Sequence, residues 1–133
     1  MNLLHVIPYF APAWAYGGVV TATTHLTRAL AEAGHHVVVV TTDTLSPSER
    51  IEAEEETIDG VHVIRLRNWS NLLRGKLNLS SPRMFTTTVR SLIETHQAQI
   101  IHSHELRTTE NLRLAALAKE LHVPLVLSAH GTL

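Results

Sequence analysis

The stretch that most limits what this chain can fold into is residues 36–42, His-Val-Val-Val-Val-Thr-Thr. Four consecutive valines suit a strand, because β-branched side chains are stiff and pack well on a pleated surface. Successive strand residues point to opposite faces, so this strand is apolar on both. Such strands belong to parallel sheets layered between helices. The preceding residues agree. Residues 3–7 are a short apolar run stopped by Pro8, and apolar residues then recur at helical spacing from Val19 through Ala22, Leu26, Ala29, Leu30 and Ala33, with Gly34 where a helix ends. Strand, helix and strand in about forty residues make a βαβ unit.

The pattern continues. Residues 45–59 are polar and acidic around Ser-Pro-Ser and read as an irregular connection. Residues 61–66 read as a strand, with Val61, Val63 and Arg65 on one face. Residues 68–81 form a second long connection. Ser81-Pro82 then predicts a helix start, and Met84, Val89, Leu92 and Ile93 supply an apolar stripe to about His96. Residues 100–103 are the next strand, 109–121 an alanine- and leucine-rich helix, and 125–129 a final strand. The sum is one α/β domain over residues 1–133, a Rossmann-like doubly wound sheet of about five parallel strands in the order 3-2-1-4-5.

Composition excludes several classes. A hydrophobic fraction of 44% with 17% charged residues describes a soluble globular chain. The absence of cysteine rules out disulfides and thiolate metal sites. The amino terminus lacks the basic flank and long apolar core of a signal peptide, and no run approaches the roughly 18 apolar residues of a membrane span. A cytoplasmic protein is expected. The net charge of −1 does not suggest nucleic acid, but it hides an acidic stretch over 49–59 and a basic one over 65–83. Trp69, Leu72, Leu73, Leu77 and Leu79 interleave with the basic residues, so this segment either packs over the sheet with its arginines in water or touches a membrane surface or anionic acceptor.

The polar chemistry collects where strands end. Residues 99–111 pass from apolar strand to His102, His104, Glu105 and Arg107, then into a helix. Open α/β sheets hold ligands in the crevice beyond such strand ends. His102 and His104 are two apart and share a face of their strand. As a metal pair they lack an obvious third ligand and a zinc spacing, so no metal is expected. His104, nearer the strand end, suits a general base or a hydrogen bond to a substrate hydroxyl, with Glu105 or Arg107 beside it. His130-Gly131 follows the last strand and opens onto the same edge. Gly17-Gly18 stands before the first helix, where backbone amides can meet a phosphate without a Cβ in the way. His5, His35, His36, His62, His96 and His122 read as structural or solvated.

Taken together, Gly17-Gly18, Ala-Gly-His-His-Val at 33–37, Ile-Ile-His-Ser-His-Glu-Leu-Arg-Thr at 100–108 and Ser-Ala-His-Gly-Thr-Leu at 128–133 resemble the amino-terminal domain of the retaining, family-four glycosyltransferases of the GT-B fold. The resemblance spans essentially the whole chain. It implies an acceptor-side domain that cooperates with a carboxy-terminal Rossmann-like domain holding the nucleotide-sugar, and transfer of a sugar to an acceptor hydroxyl with retention, without metal or further cofactor. By position, Gly17 and Gly18 would approach the donor diphosphate, His104 would sit at the reaction centre, and His130 with Gly131 would line the cleft. Glu105, Arg107 and Asn111 belong to a variant of the motif and would shape the site.

The Lys/Arg pair and paired glutamates that handle the donor in that family belong to its carboxy-terminal half, which this chain is expected to lack, so the domain is expected to be a truncated half, inactive without a donor-binding domain or separate chain. The acceptor would be a sugar or a lipid-linked molecule, reached at the inner face of the membrane if the basic segment contacts lipid. The other reading is a stand-alone Rossmann-like binding or assembly module without catalysis. A hydrolase using His104 and Glu105 lacks a nucleophile elbow. An apolar edge at the last strand would favour homo-oligomers.

Overall fold

The computed structural model describes residues 1–68, 84–105 and 109–130. Among these residues, six strands and three α-helices follow in the order β1 (Asn2–Val6), α1 (Gly18–Glu32), β2 (His36–Thr42), β3 (Glu55–Ile58), β4 (Val61–Leu66), α2 (Phe85–Thr95), β5 (Ile100–His104), α3 (Thr109–Leu121) and β6 (Leu125–Ser128). They form one sheet in the order β3-β4-β2-β1-β5-β6. All neighbours pair in parallel except β3 and β4. The doubly wound order expected for the parallel strands therefore holds.

The valine run divides between two cores as its alternation demands. Val38 and Val40 join Leu4, Val6, Ile101, Leu114 and Leu117 under α2 and α3. Val37 and Val39 join Leu3, Ile7, Phe10, Val61 and Val63 on the face that carries α1. Burial on both faces is the dominant stabilising term for this central strand.

The sheet differs from expectation at one edge. Within the expected loop 45–59, Glu55–Ile58 forms an antiparallel strand that turns into β4 through Asp59 and Gly60, both at positive φ (49° and 79°). Two central residues at positive φ make the tight hairpin that Asp-Gly favours. Arg65 is not a solvated member of a basic run. Its buried guanidinium pairs with Glu56 at 2.6 Å and donates to the carbonyls of Ala53 and Ala11. It fastens the added strand and the first loop to the sheet.

Helix α1 departs from the expected stripe. Its buried residues are Val20, Thr23, Thr24 and Thr27, while Ala22 and Ala29 face outward and Leu26 is 38% exposed. Threonine serves inside because Thr23 and Thr27 return their hydroxyls to the carbonyls of Val19 and Thr23, at 2.7 and 2.9 Å, leaving the methyl to pack. The helix closes at Gly34, φ 95°, where the amides of Gly34 and His35 bond back to Ala31 and Leu30. In α2 the inward residues are Phe85, Val89 and Ile93; Met84, expected in the stripe, is 71% exposed and holds φ 56° before the helix. The Ser81-Pro82 start, Trp69 and its neighbouring leucines, and Arg74, Lys76 and Arg83 lie outside the described residues. No helix among the described residues is long and apolar enough to cross a membrane.

Candidate active site

Parallel order brings the ends of β1, β5 and β6 together, and with them four histidines. His5 on β1 stands in register with His102 on β5, and His104 in register with Ser128 on β6. Residues paired in this way, and residues two apart, share a face. His5, His102, His104 and Ser128 therefore form one patch, which His130 extends beyond the strand.

The patch is bonded through its rings. Nδ1 of His5 is 3.1 Å from Nε2 of His104, and Nδ1 of His104 is 2.9 Å from Nε2 of His130. A neutral imidazole has one N–H and one lone pair, so His104 must donate to one neighbour and accept from the other. His102 stacks on His104 with ring centroids 4.0 Å apart, and its Nε2 meets Ser128 Oγ at 2.7 Å. His5 and His104 are each 1% exposed, whereas His130 is open to solvent.

Burial sets the protonation. It holds the His5 imidazolium at about 4, the neighbouring His102 adding to the effect. It lowers His104 to about 3, with repulsion from His102, His5 and His130 behind it. His102 is lowered by burial and then by His130. The inner rings are therefore neutral near pH 7, able to donate and accept but weak as bases.

Around His104 the backbone is held in uncommon form. Glu105 has φ 74° and His130 φ 47°, both in the left-handed region that non-glycine residues seldom occupy. The Glu105 amide donates to Ser128 carbonyl at 2.8 Å. Asn111, buried in the first turn of α3, accepts from Ser103 Oγ and donates to the Glu105 carbonyl. Its amide thus binds the end of β5 to the start of α3.

A narrow pocket opens beside His104 between Pro8, Thr41, Thr42, Phe85, Ser103 and Glu110. Thr42 gives its hydroxyl to Pro8 carbonyl, while Thr41 Oγ1 is buried without a hydrogen-bond partner among the described residues. Glu110, 3% exposed, is an acid at a helix start, where the dipole favours negative charge.

The first loop reaches the same edge, because α1 follows β1. Gly17 caps the helix at φ 83°, ψ −147°, a conformation that glycine alone adopts readily, and its amide is spent on Trp14 carbonyl. Gly18 is the first helical residue. Its amide is one of the donors a first turn leaves without an intrahelical acceptor, and a Cβ there would meet nothing within 4 Å.

Among the sequence candidates, His104 and His130 are in direct contact, and Glu105 and Asn111 adjoin them. Arg107 and Gly131 lie outside the described residues. His5 and Glu110 are the members sequence reasoning missed. His5 sits in the middle of an apolar run, and only strand pairing reveals its neighbours. Three further histidines, read from sequence as structural or solvated, have partners: His62 pairs with Glu55, His96 Nε2 stands 3.3 Å from the Leu3 carbonyl, and His35 Nδ1 is 2.9 Å from the amino-terminal nitrogen.

A doubly wound sheet with polar side chains gathered at its carboxyl edge defines a Rossmann-like domain of the class that holds ligands beyond its strand ends. Within that class the chain belongs to the family of glycosyl transferase 4-like domains, whose pattern it matches over residues 17–133. The resemblance to family-four glycosyltransferases is thereby borne out. No curated protein matches the chain.

Proposed function

We propose that this chain is the acceptor-side domain of a retaining glycosyltransferase, moving a sugar from a nucleotide-diphosphate sugar to an acceptor hydroxyl once a donor-binding domain completes the cleft. The observation that carries this reading is the contact between His104 and His130, from the ends of two strands, on the sheet edge that also receives the start of α1. A sugar hydroxyl both donates and accepts, as does a neutral imidazole. His130, the exposed partner, is the group a sugar hydroxyl displaces from Nδ1 of His104. The low basicity of His104 favours hydrogen bonding and positioning over proton abstraction, since a general base works best with a pKa near the operating pH.

Gly18 presents its amide to the donor diphosphate, Gly17 supplying the bend before it. Glu105 and Asn111 hold the His104 strand end in shape. Donor positioning and stabilisation of the leaving diphosphate come largely from the second domain, elsewhere in the same polypeptide or in another chain, so these 133 residues alone give no turnover.

The test combines the chain with candidate donor-binding domains and a panel of uridine, guanosine and adenosine diphosphate sugars. Transfer in the mixture only, with retained anomeric configuration by NMR and loss on His104→Ala, is the expected result. Transfer untouched by His104→Ala, or none from two folded partners that bind each other, overturns it.

A further inference from the structure

His5, His102 and His104 each bring one ring nitrogen into a group whose members all lie within 4.8 Å of one another. Within it, His5 Nδ1 and His104 Nε2 are 3.1 Å apart. Zinc–nitrogen bonds of about 2.0–2.1 Å place two nitrogens of a tetrahedral ion roughly 3.4 Å apart, so this pair already has the span of one coordination edge. His102 supplies the third nitrogen, within 4.8 Å of both.

Three further features fit an ion. Metal-bound imidazoles commonly have their other ring nitrogen held by a second group, which fixes ring orientation. Here Ser128 Oγ stands at His102 Nε2, and His130 Nε2 at His104 Nδ1. Imidazole ligands with neither thiolate nor carboxylate in the group suit zinc, copper or nickel over magnesium or calcium, which prefer oxygen. His102, only half-buried, leaves a route from solvent.

We propose that His5, His102 and His104 form a binding site for a divalent transition-metal ion of the zinc type, supported by Ser128 and His130. The ion takes the inner nitrogen of His104 and leaves its outer nitrogen to the cleft. The titration that tests the site needs neither donor nor acceptor, so metal binding and sugar transfer can fail separately.

The test titrates zinc ion into the chelator-stripped chain by calorimetry, then repeats the titration with cobalt(II) and reads visible absorption. One ion per chain and the intense visible bands of four-coordinate cobalt are expected. His5→Gln weakens zinc affinity by about 100-fold or more and Ser128→Ala by about 10-fold. His36→Gln and His62→Gln, at the opposite edge of the sheet, leave it unchanged. Because His5→Gln also alters a buried contact, the wild-type chain provides a second measurement: zinc must shift the imidazole ¹⁵N resonances of His5 and His104 before any other. No binding, binding indifferent to His5→Gln in folded protein, or resonance shifts confined to His35, His36, His62 and His96 overturns the site.

Discussion

His5 and His104 stand 99 positions apart in sequence, yet their rings meet at 3.1 Å in the interior of the domain. Each is nearly sealed from solvent, so each depends on the other for a hydrogen bond that water would otherwise supply. The contact couples the first strand to the strand that carries the candidate reaction centre.

Replacing His5 by Leu leaves His104 Nε2 without its partner. The expected loss of stability is about 1–3 kcal/mol, the cost of a buried polar group left unsatisfied. Urea denaturation measures it. In a double-mutant cycle, His104→Leu in the His5→Leu background costs less than in wild type, because the second change removes the orphaned group; strict additivity would mean that the two rings do not support each other.

Acid lowers the stability of the metal-free domain before carboxylates titrate. His5 and His104 hold folded values of about 4 and about 3 against 6.5 when unfolded, so between these limits the unfolded chain binds more protons. Stability is fully present above pH 6.5 and is lost as pH falls toward the folded values. Each histidine contributes a slope of at most about 1.4 kcal/mol per pH unit. His5→Leu flattens the dependence of thermal unfolding on pH from 6.5 to 4.5; an unchanged slope would remove His5 from the account.

Asn111→Ala deletes both the acceptor for Ser103 Oγ and the donor to the Glu105 carbonyl. A loss of about 1–3 kcal/mol follows from the buried groups left behind. Asn111→Asp keeps the acceptor and loses the donor, so it falls between alanine and wild type unless its charge is excluded from the site. Chemical denaturation of the three proteins at pH 7 gives the order.

Gly17 and Gly18 separate by mechanism. Gly17→Ala forces a Cβ into φ 83° and costs about 1–3 kcal/mol although the space around it is open. Gly18→Ala leaves stability equal or slightly higher, since alanine is the better helix former and meets no neighbour. If the Gly18 amide approaches the donor, the same substitution raises KM for nucleotide-sugar in the completed enzyme. Thermal melts and steady-state kinetics distinguish the two effects.

Local signals served where one element could be recognised from its own residues. The valine run announced a strand covered on both faces, and its two alternating pairs serve the two cores. Gly34 ended α1, and the span of α3 coincides with the sequence reading. Asp59-Gly60 carried a hairpin signal strong enough to have revealed β3, but the acidic residues beside it suggested a solvated loop. At an outer strand, charge is compatible with pairing because one edge and part of one face remain in water. The α1 stripe misled for the opposite reason: threonine counts as polar until its hydroxyl is returned to its own helix.

By itself the sequence determined the alternation of strands and helices, the parallel order and the collection of polar residues at the carboxyl edge, because periodicity and turn chemistry act over neighbouring residues. It also carried the motifs that place the chain among glycosyl transferase 4-like domains. Only the tertiary structure decided that His5 joins His102, His104 and His130, and that Arg65 is buried in an ion pair while Leu26 faces outward. Those outcomes depend on which strands become neighbours and in what register, and register is a property of the assembled sheet, which brings together residues that no local pattern connects.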